Sequence, residues 1–360
     1  MLIVRGAIKD YDWGIVDGLE PWSGQATGAP QAELWFGVHP GGPSPLIDVE
    51  GEPTGEVLAD RFDVEAIPLL VKLLAAAKPL SVQLHPQRPV AQAGWDEQQA
   101  NPAQRVYSDP FEKTEMMVAL EPFEAFVGWR PLVQARAMLD AIDGTDASRA
   151  ALEAGDRVAA IPLLIQACTP DRAARLPDAA EAAGLPGSQV AAYRTVVEHY
   201  GQDAGALVTA LLNYVRLEPG QAVYVPAGLP HSYIRGTGLE VMTSSDNVIR
   251  LGLTGKPVFV DHALRALVDD LHPQFLPTEH GDLIWPVNSP FVVRMVSRGE
   301  ERIPHGAYRI VLLIEGAAQV VSEFGEFVLR PGTAAVFSAD DPDSFVRADG
   351  LVAVVQSTER

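Results

Sequence analysis

The sequence contains little cysteine and little positive charge, and each shortage excludes a class of protein. It has one cysteine, Cys168, so we expect neither an internal disulfide nor a metal site built from thiolates. Its 27 basic residues are outnumbered by 47 acidic ones, which gives a net charge of −20. A field of that sign repels phosphate groups, so we expect no general binding to nucleic acid or to an anionic membrane surface. An anionic small molecule would therefore need a local cluster of arginine and lysine.

Long apolar runs are also missing. The most hydrophobic segment, "IPLLVKLLAAAKPL", is interrupted by Lys72 and Lys78, well short of the roughly 20 residues that a membrane span requires. The start, "MLIVRGAIKDYDWG", lacks the apolar core of a secretion signal. We therefore expect a cytoplasmic protein without a transmembrane helix.

Two kinds of local pattern alternate along the chain. Short β-branched and aromatic runs broken by Gly and Pro, such as "AELWFGVHPGGPS", predict strands up to about residue 130. Ala-rich segments with helical periodicity, such as "PLVQARAMLDAI", follow from 131 to 213. Strand patterns then resume in "QAVYVPAG" and "YRIVLLIEG". The sequence thus predicts a mainly β protein with an α-helical insert.

An internal repeat divides the β portion into two related units. The segments 217–245 and 329–357 align without gaps, so that Pro219 matches Pro331 and Gly238 matches Gly350. Each copy predicts a Pro-Gly turn, a strand and a return strand, which is typical of two related barrels. His231 of the first copy corresponds to Asp343 of the second. We therefore predict one working site and one structural copy, with 1–130 and 214–265 forming the first barrel, 131–213 the insert and 266–360 the second barrel.

Four polar residues are candidates for a metal site. Gln83 and His85, in "SVQLHPQ", are two positions apart on a predicted strand and so face the same side. An isolated pair of this kind is more often a hydrogen-bonded feature of the core or of a loop. Glu115 and His231 favour the other interpretation, because the four together can form a mixed nitrogen and oxygen shell for Zn²⁺. The unusual amide ligand favours an open, catalytic site.

A second group of residues suits an anionic ligand. The segment "SSDNVIRLGLTGK" carries Asp246, Arg250 and Lys256 directly after the strand that follows His231. Arginine binds phosphate in a bidentate manner and lysine acts as a point charge. The alternative is a solvated turn with a surface ion pair.

The remaining polar and aromatic residues give weaker signals. Lys72 and Lys113 flank apolar runs near the candidate ligands. The aromatic segments "YDWG" and "AELWFG" belong either to a sugar pocket or to the core. The other histidines have surface-like contexts and receive no role: His39, His199, His262, His272, His280 and His305.

These motifs together resemble those of the type I phosphomannose isomerases, which are zinc enzymes built from cupin barrels. The resemblance covers nearly the whole chain and is carried by the following segments in the family's order: "YDWG", "AELWFGVHP", "KPLSVQLHP", "KTEMMVALEPFEAFVGWRP", "LEPGQAVYVPAGLPHSY" and "SSDNVIRLGLTGK". It implies two cupin (jelly-roll-like) β-barrels with an inserted α-helical domain. It also implies that the metal is zinc, with Gln83, His85, Glu115 and His231 as the ligands. Because the repeat retains only one working site, we expect one zinc per chain.

The resemblance further assigns residues to the pocket. It implies that Arg250 is the essential active-site arginine and that Lys256 lies on the phosphate side. The remaining pocket positions that it implies are Trp13, Glu33, Lys72, Ser81, Lys113, Glu240 and Asp246. We take Arg250, Lys113, Asp246 and Glu240 as catalytic candidates, and Trp13, Glu33, Lys72, Ser81 and Lys256 as substrate-binding candidates.

The implied reaction interconverts mannose 6-phosphate and fructose 6-phosphate through a cis-enediolate. The group that moves the proton stays open between Lys113, Asp246, Glu240 and Glu112. Two other functions are compatible with the residues: a cupin metal oxygenase with a two-histidine, one-carboxylate iron site, and a non-catalytic sugar-phosphate-binding cupin. We expect the partner to be a small sugar phosphate, and the protein to be a monomer or a weak homo-oligomer.

One position departs from the family pattern. The family usually has N-H-K-P-E before the carboxylate ligand, whereas this chain has "FEKTE". Glu112 therefore stands where a histidine is expected. If residues 112–115 form a regular strand, Glu112 faces away from Glu115 into solvent. If the backbone is irregular there, its carboxylate can replace the missing imidazole at the pocket rim.

Overall fold

The computed structural model describes residues 1–101, 105–277, 283–323 and 325–358, so His280 lies outside the described residues. The strands before the main helical segment are β1 (Leu2–Arg5), β2 (Ala7–Lys9), β3 (Ile15–Val16), β4 (Pro30–Gln31), β5 (Glu33–Phe36), β6 (Pro45–Ile47), β7 (Pro53–Val57), β8 (Leu69–Ala76), β9 (Val82–Leu84), β10 (Glu115–Ala119) and β11 (Phe123–Trp129). The later strands are β12 (Leu212–Leu217), β13 (Ala222–Val225), β14 (His231–Thr243), β15 (Ile249–Gly252), β16 (Gln274–Leu276), β17 (Leu283–Ile284), β18 (Phe291–Ile303), β19 (Arg309–Ser322), β20 (Gly325–Leu329), β21 (Thr333–Phe337) and β22 (Ser344–Ser357).

Helices are concentrated between the two sets of strands, where helical periodicity is predicted. The helices are α1 (Glu20–Ser23), α2 (Arg88–Ala100), α3 (Leu132–Asp140), α4 (Asp146–Glu153), α5 (Arg157–Ala167), α6 (Pro170–Ala173), α7 (Leu176–Ala182), α8 (Gly187–Tyr200) and α9 (Val260–Ala266), with 3₁₀ turns at Leu58–Asp60 and Ala206–Leu211. The predicted mainly β fold with a helical insert is therefore confirmed. Across the described ranges, the helices are all too short or too polar to cross a membrane.

The first sheet carries the candidate ligands and is antiparallel. Its strands follow the order β16-β13-β10-β14-β8-β5-β2, and β9, β11, β12 and β15 join it around β14. The first part of β14 pairs with β11, and the second part pairs with β8 and β10. Gly236, with φ +127°, lies where the pairing changes, and a Cβ there would come within 2.6 Å of the Pro122 carbonyl oxygen. Because glycine has no Cβ, the backbone of β14 can pass close to that of Pro122 at the point where β14 changes its partner strands.

The second sheet combines the C-terminal strands with strands from the beginning of the chain. Its order is β17-β18-β22-β19-β21-β1-β6-β7, with β20 on β19, and β1 pairs with β21 so that Leu2 lies opposite Val336. The faces of the two sheets share one core, in which Phe36 and Leu239 of the first sheet cluster with Phe291 of the second. The first 57 residues therefore supply strands to both sheets. The predicted domain boundaries stay a prediction.

The predicted repeat is confirmed in the strands. The first copy forms β13 and β14, and the second forms β21 and β22. Among the residues that the structure describes, Asp343, the counterpart of His231, belongs to no group with the geometry to hold a metal ion. It accepts hydrogen bonds from Arg302 and from the His305 backbone N–H at the surface.

The helical segment supports one edge of the first sheet. Its buried residues, such as Leu207, share a core with Leu84 of β9 and with Ile249 and Leu251 of β15. Asp203, just after α8, accepts hydrogen bonds from the backbone N–H groups of Gly205 at 2.7 Å and of Thr254 at 3.1 Å. The insert thereby anchors the turn that carries Lys256.

Candidate metal centre and substrate pocket

Three buried residues converge at one end of the first sheet. His85 directly follows β9, Glu115 begins β10 and His231 begins β14. Their ligand atoms all lie within 4.8 Å of one another. The Glu115 carboxylate is central, because Oε2 is 3.1 Å from His85 Nε2 and Oε1 is 3.1 Å from His231 Nε2. Within the described ranges this is the group of histidine and acidic residues with the geometry to hold a metal ion.

Backbone carbonyls fix the orientation of both imidazoles. His85 Nδ1 donates to the Asn247 carbonyl at 2.7 Å, and His231 Nδ1 donates to the Leu229 carbonyl at 3.1 Å. Both Nε2 atoms are therefore unprotonated in the neutral rings, and their lone pairs face the Glu115 carboxylate. Lone pairs opposite a carboxylate repel it unless a cation lies between them, so this arrangement fits a metal ion.

The charge states of the cluster also suit a metal. Burial, with the positive charge of Lys113, lowers the pKa of His85 to about 3. Burial alone would raise the pKa of Glu115, but the positive charge of Lys113, together with the interactions with the two histidines, outweighs it and holds that pKa well below its ordinary value. At neutral pH His85 is therefore a neutral imidazole and Glu115 is a carboxylate. These are the protonation states in which such side chains bind Zn²⁺.

Gln83 completes the predicted set from the neighbouring strand. It lies opposite His231 in the pairing of β9 with β14, and its Nε2 is 3.3 Å from His231 Nε2. The amide oxygen accepts a hydrogen bond from Ser81 Oγ at 2.8 Å. Rotation of the amide by 180° exchanges its two ends and turns the oxygen toward the cluster. The structure therefore brings all four predicted ligands together.

A buried line of charges lies beside this centre. Lys72 of β8 is directly opposite Glu240 of β14 and Trp35 of β5, so the three side chains share one face of the sheet. Lys72 Nζ is 2.8 Å from Glu240 Oε2 and 3.4 Å from Glu33 Oε1, while Trp35 Nε1 donates to Glu33. Burial would lower the pKa of Lys72, but the two carboxylates outweigh it and raise that pKa. Burial raises the pKa of Glu240.

The other predicted cations are Lys113, Arg250 and Lys256, which differ in how far they are buried. Lys113 is buried, with Nζ 3.2 Å from Glu115 Oε2. Arg250 lies opposite Gln83 in the pairing of β15 with β9, and burial lowers its pKa. Lys256 is exposed, and its charge interacts with that of Arg250. Trp13 stacks on Tyr11 with ring centroids 5.7 Å apart, and no contact of Trp13 with the charged pocket residues is found in the described part of the chain.

The prediction that His39 is a surface residue is wrong. Its imidazole is buried, and Nε2 is 2.9 Å from Asp246 Oδ2. His199, His272 and His305 are exposed as predicted, and His262 is half-buried. The sequence did contain a signal for His39, because this histidine belongs to the motif "AELWFGVHP". From that motif only Glu33 was predicted to line the pocket.

Two further residues of the centre were also missed. Tyr233, two positions after His231 on β14, donates its hydroxyl to Glu115 Oε1 at 2.8 Å. Asn247 holds His85 through its backbone carbonyl. Alternation along a strand places Tyr233 on the same face as His231, so its position could be found from the sequence. The contribution of Asn247 comes from its backbone, which no residue type reveals.

Glu112 was predicted either to face solvent or to lie at the pocket rim, and the structure shows a different partner. Residues 112–114 precede β10 and are not regular strand. The Glu112 carboxylate accepts a hydrogen bond from the backbone N–H of Arg88, at 2.9 Å, where α2 begins. The preceding residue, Gln87, makes no side-chain capping bond there. Glu112 therefore supplies an acceptor to the helix that follows His85, and its negative charge suits a helix N-terminus.

We predict that Glu112 contributes to stability rather than to proton transfer. Glu112→Ala is expected to lower the free energy of unfolding by about 1 kcal/mol, because the first turn of α2 loses its acceptor. Glu112→Gln keeps an acceptor oxygen and is expected to lose only the charge term, about 0.5 kcal/mol. Urea unfolding and steady-state assays measure both effects. The exposed Glu121 provides the control substitution Glu121→Ala. A loss of kcat above tenfold in Glu112→Gln would contradict this assignment.

Comparison with known proteins agrees with this geometry. A family model described as "Phosphomannose isomerase type I, catalytic domain" matches residues 1–132. The chain is 31% identical to mannose-6-phosphate isomerase of Salmonella typhimurium over 96% of both chains, and 30% identical to that of Escherichia coli over 97% of both. A crystal structure of the Salmonella typhimurium enzyme bound to substrate and zinc superposes with a TM-score of 0.84 over the whole of both chains, at 28% identity. The protein therefore belongs to the mannose-6-phosphate isomerase family.

Proposed function

We propose that this protein is a zinc-dependent aldose-ketose isomerase that interconverts mannose 6-phosphate and fructose 6-phosphate. The observation that carries the proposal is the buried cluster of His85, Glu115 and His231, whose ligand atoms all lie within 4.8 Å of one another while the Nδ1 atom of each ring is held by a backbone carbonyl. Cationic side chains lie directly beside it, in a protein whose net charge is −20. Such a local reversal of charge is what a sugar phosphate needs.

Zinc held by His85, Glu115, His231 and Gln83 would supply a Lewis acid that polarises the oxygens of the sugar at C1 and C2. The chain's own residues then divide the remaining work. Arg250, opposite Gln83 in the sheet, provides a fixed cation for the negative charge that develops on the enediolate oxygens. We assign phosphate binding to Lys256, which is exposed at the turn after β15. Lys72 is held between Glu33 and Glu240 and gives the pocket wall a fixed charge pattern.

Three side chains remain candidates for moving the proton between C1 and C2. Lys113 contacts the ligand Glu115, and Glu240 contacts Lys72, so both are engaged in buried ion pairs. The side chain of Asp246 is 54% exposed, and among the described residues its bonding partner is His39, which holds Oδ2. A carboxylate with one open oxygen at a pocket rim can take a proton from the sugar and return it. We therefore favour Asp246.

Two alternative functions predict different measurements. A metal oxygenase would also use two histidines and a carboxylate, but it has no need for Gln83 or for the lysine and arginine residues. A non-catalytic cupin would bind the sugar phosphate without turnover. Family membership and the cationic pocket favour the isomerase.

The decisive experiment is an assay of the purified protein with mannose 6-phosphate, coupled to detection of fructose 6-phosphate. Turnover is expected, with loss after chelation and recovery when zinc is restored. Binding without turnover in the zinc-loaded protein would favour the non-catalytic alternative. Recovery with ferrous iron but not with zinc would favour the oxygenase.

We predict one tightly bound zinc per chain, in the first barrel. The second copy of the repeat places Asp343 where His231 stands, and Asp343 is bound to Arg302 and His305 at the surface. Elemental analysis of the purified protein measures the ratio, and His231→Ala is expected to reduce it to near zero. Asp343→Ala, the substitution at the matched position, is expected to leave it unchanged. Two metals that survive gel filtration would contradict the prediction.

We also propose that the protein acts in the cytoplasm as a monomer or a weak homo-oligomer. The lone thiol of Cys168 suits a reducing compartment. Light scattering across a range of protein concentrations tests the oligomeric state, and cell fractionation tests the location.

A further inference from the structure

The buried histidine at the pocket rim has a defined protonation pattern. His39 follows β5, and its Nδ1 accepts a hydrogen bond from the Gly41 backbone N–H at 3.0 Å. The ring therefore carries its proton on Nε2, which lies 2.9 Å from Asp246 Oδ2 and donates to it. The Trp35 ring meets the imidazole edge-on, with centroids 5.0 Å apart. The Gly41 bond and the Trp35 contact thus fix the direction of the Nε2–H bond.

The backbone of Asp246 is held separately from its carboxylate. The Asp246 N–H donates to Asp109 Oδ2 at 2.9 Å, and its carbonyl accepts from Ser108 Oγ at 3.2 Å. These bonds fix the Cα position but leave the rotation of the side chain free. Among the described residues, His39 is the group that bonds to the carboxylate. The orientation of the carboxylate therefore depends on one imidazole.

Asp246 lies close enough to the predicted substrate-binding cations to interact with their charges. Its charge interacts with those of Lys113 and Lys72, and with those of Arg250 and Lys256. The carboxylate thus lies in the field of the cations that are proposed to bind the sugar phosphate. With Oδ2 bonded to His39, Oδ1 is the oxygen that is left for a substrate.

We propose that His39 is a positioning residue of the isomerase, which orients the Asp246 carboxylate so that Oδ1 faces the sugar. In that orientation Oδ1 accepts the proton from C2 of mannose 6-phosphate and returns it to C1, while the hydroxyl proton passes from the C2 oxygen to the C1 oxygen. His39 donates its Nε2–H to Oδ2 and takes no proton from the sugar. The inference rests on the proposed function and adds to it a residue that acts through Asp246. A merely structural His39 would affect folding but not the kinetic role of Asp246.

A pair of substitutions separates these two roles. His39→Leu removes the donor and keeps an apolar side chain against Trp35, whereas His39→Gln keeps an N–H donor near the position of Nε2. The expected loss of kcat for His39→Leu is about 10- to 100-fold, the range typical of removing a group that orients a functional side chain. His39→Gln is expected to recover most of this loss. KM and zinc content are expected to change less than threefold in either variant.

His305 provides a matched control. Its Nδ1 lies 2.7 Å from Asp343 Oδ1 in a similar histidine and aspartate pair, but at the surface of the second barrel. His305→Leu is expected to leave kcat unchanged. Equal activity of the parent and His39→Leu, or equal losses in His39→Leu and His39→Gln, would overturn the proposal.

A double-mutant cycle tests whether His39 acts through Asp246. In the Asp246→Ala background, His39→Leu is expected to cause less than a twofold further loss of kcat, because the group that it orients is gone. Losses that multiply fully would mean that His39 acts independently, which overturns the proposal.

Crystal structures of His39→Leu and His39→Gln give a readout that does not depend on turnover. The Asp246 carboxylate is expected to leave its position in the first and to keep it in the second. A carboxylate that stays in place in His39→Leu overturns the inference. Absence of mannose 6-phosphate turnover in the parent protein would instead count against the proposed function, and the crystal comparison would still decide what holds Asp246.

Discussion

His231→Ala is expected to abolish zinc binding and to lower kcat about 10³-fold or more, while the protein stays folded. The imidazole is buried and its Nε2 faces Glu115, so alanine removes one of the four proposed metal ligands. A metal that polarises a sugar oxygen contributes several kcal/mol to catalysis, and each 1.36 kcal/mol corresponds to a tenfold change in rate. Elemental analysis, circular dichroism and the coupled assay measure the three quantities.

The fold is expected to persist because the large apolar cores lie elsewhere. The core between the sheets contains Phe36 and Phe291, and the core beneath the helices contains Leu84 and Leu207, so neither is built around His231. The exposed His199 on α8 gives the control His199→Ala, which is expected to keep both metal and activity. Unfolding of the His231→Ala protein under native conditions would instead show that the metal is structural.

The substitution Arg250→Ala is expected to lower kcat/KM by about 10²-fold or more, mainly through kcat. Arg250 lies opposite Gln83 on paired strands, and side chains in such positions are close neighbours. A preorganised charge that stabilises the transition state has an effect of this size when it is lost. Partial burial strengthens the interaction, because little water screens it.

Lys256→Ala is expected to behave differently, by raising KM while kcat stays within a few-fold. A group that grips the non-reacting phosphate binds the ground state and the transition state equally. Steady-state kinetics of both variants give the comparison, with Arg175→Ala on the exposed insert surface as a control. If both variants lose kcat at constant KM, the division of roles between Arg250 and Lys256 is wrong.

Local patterns in the sequence were sufficient to predict a mainly β fold with a helical insert, whereas grouping the four candidate metal ligands also needed the resemblance to the family's motifs. Alternation along a strand puts Gln83 and His85 on one face, and the structure places both beside Glu115 and His231. The repeat predicted two related strand pairs, which are β13 with β14 and β21 with β22. These features follow from side-chain direction and turn chemistry within short segments, and so they need no knowledge of distant contacts.

Contacts between distant segments were decided only by the tertiary structure. The bond from His39 to Asp246 joins residues about 200 positions apart in the chain, and it turns a histidine with a surface-like context into a buried one. Glu112 bonds to the start of α2 rather than to solvent, and β1 joins the C-terminal sheet. In each case the partner is chosen by the packing of whole sheets and helices. The sequence near a residue determines which face its side chain occupies, but the partner that it meets there depends on the fold of the whole chain.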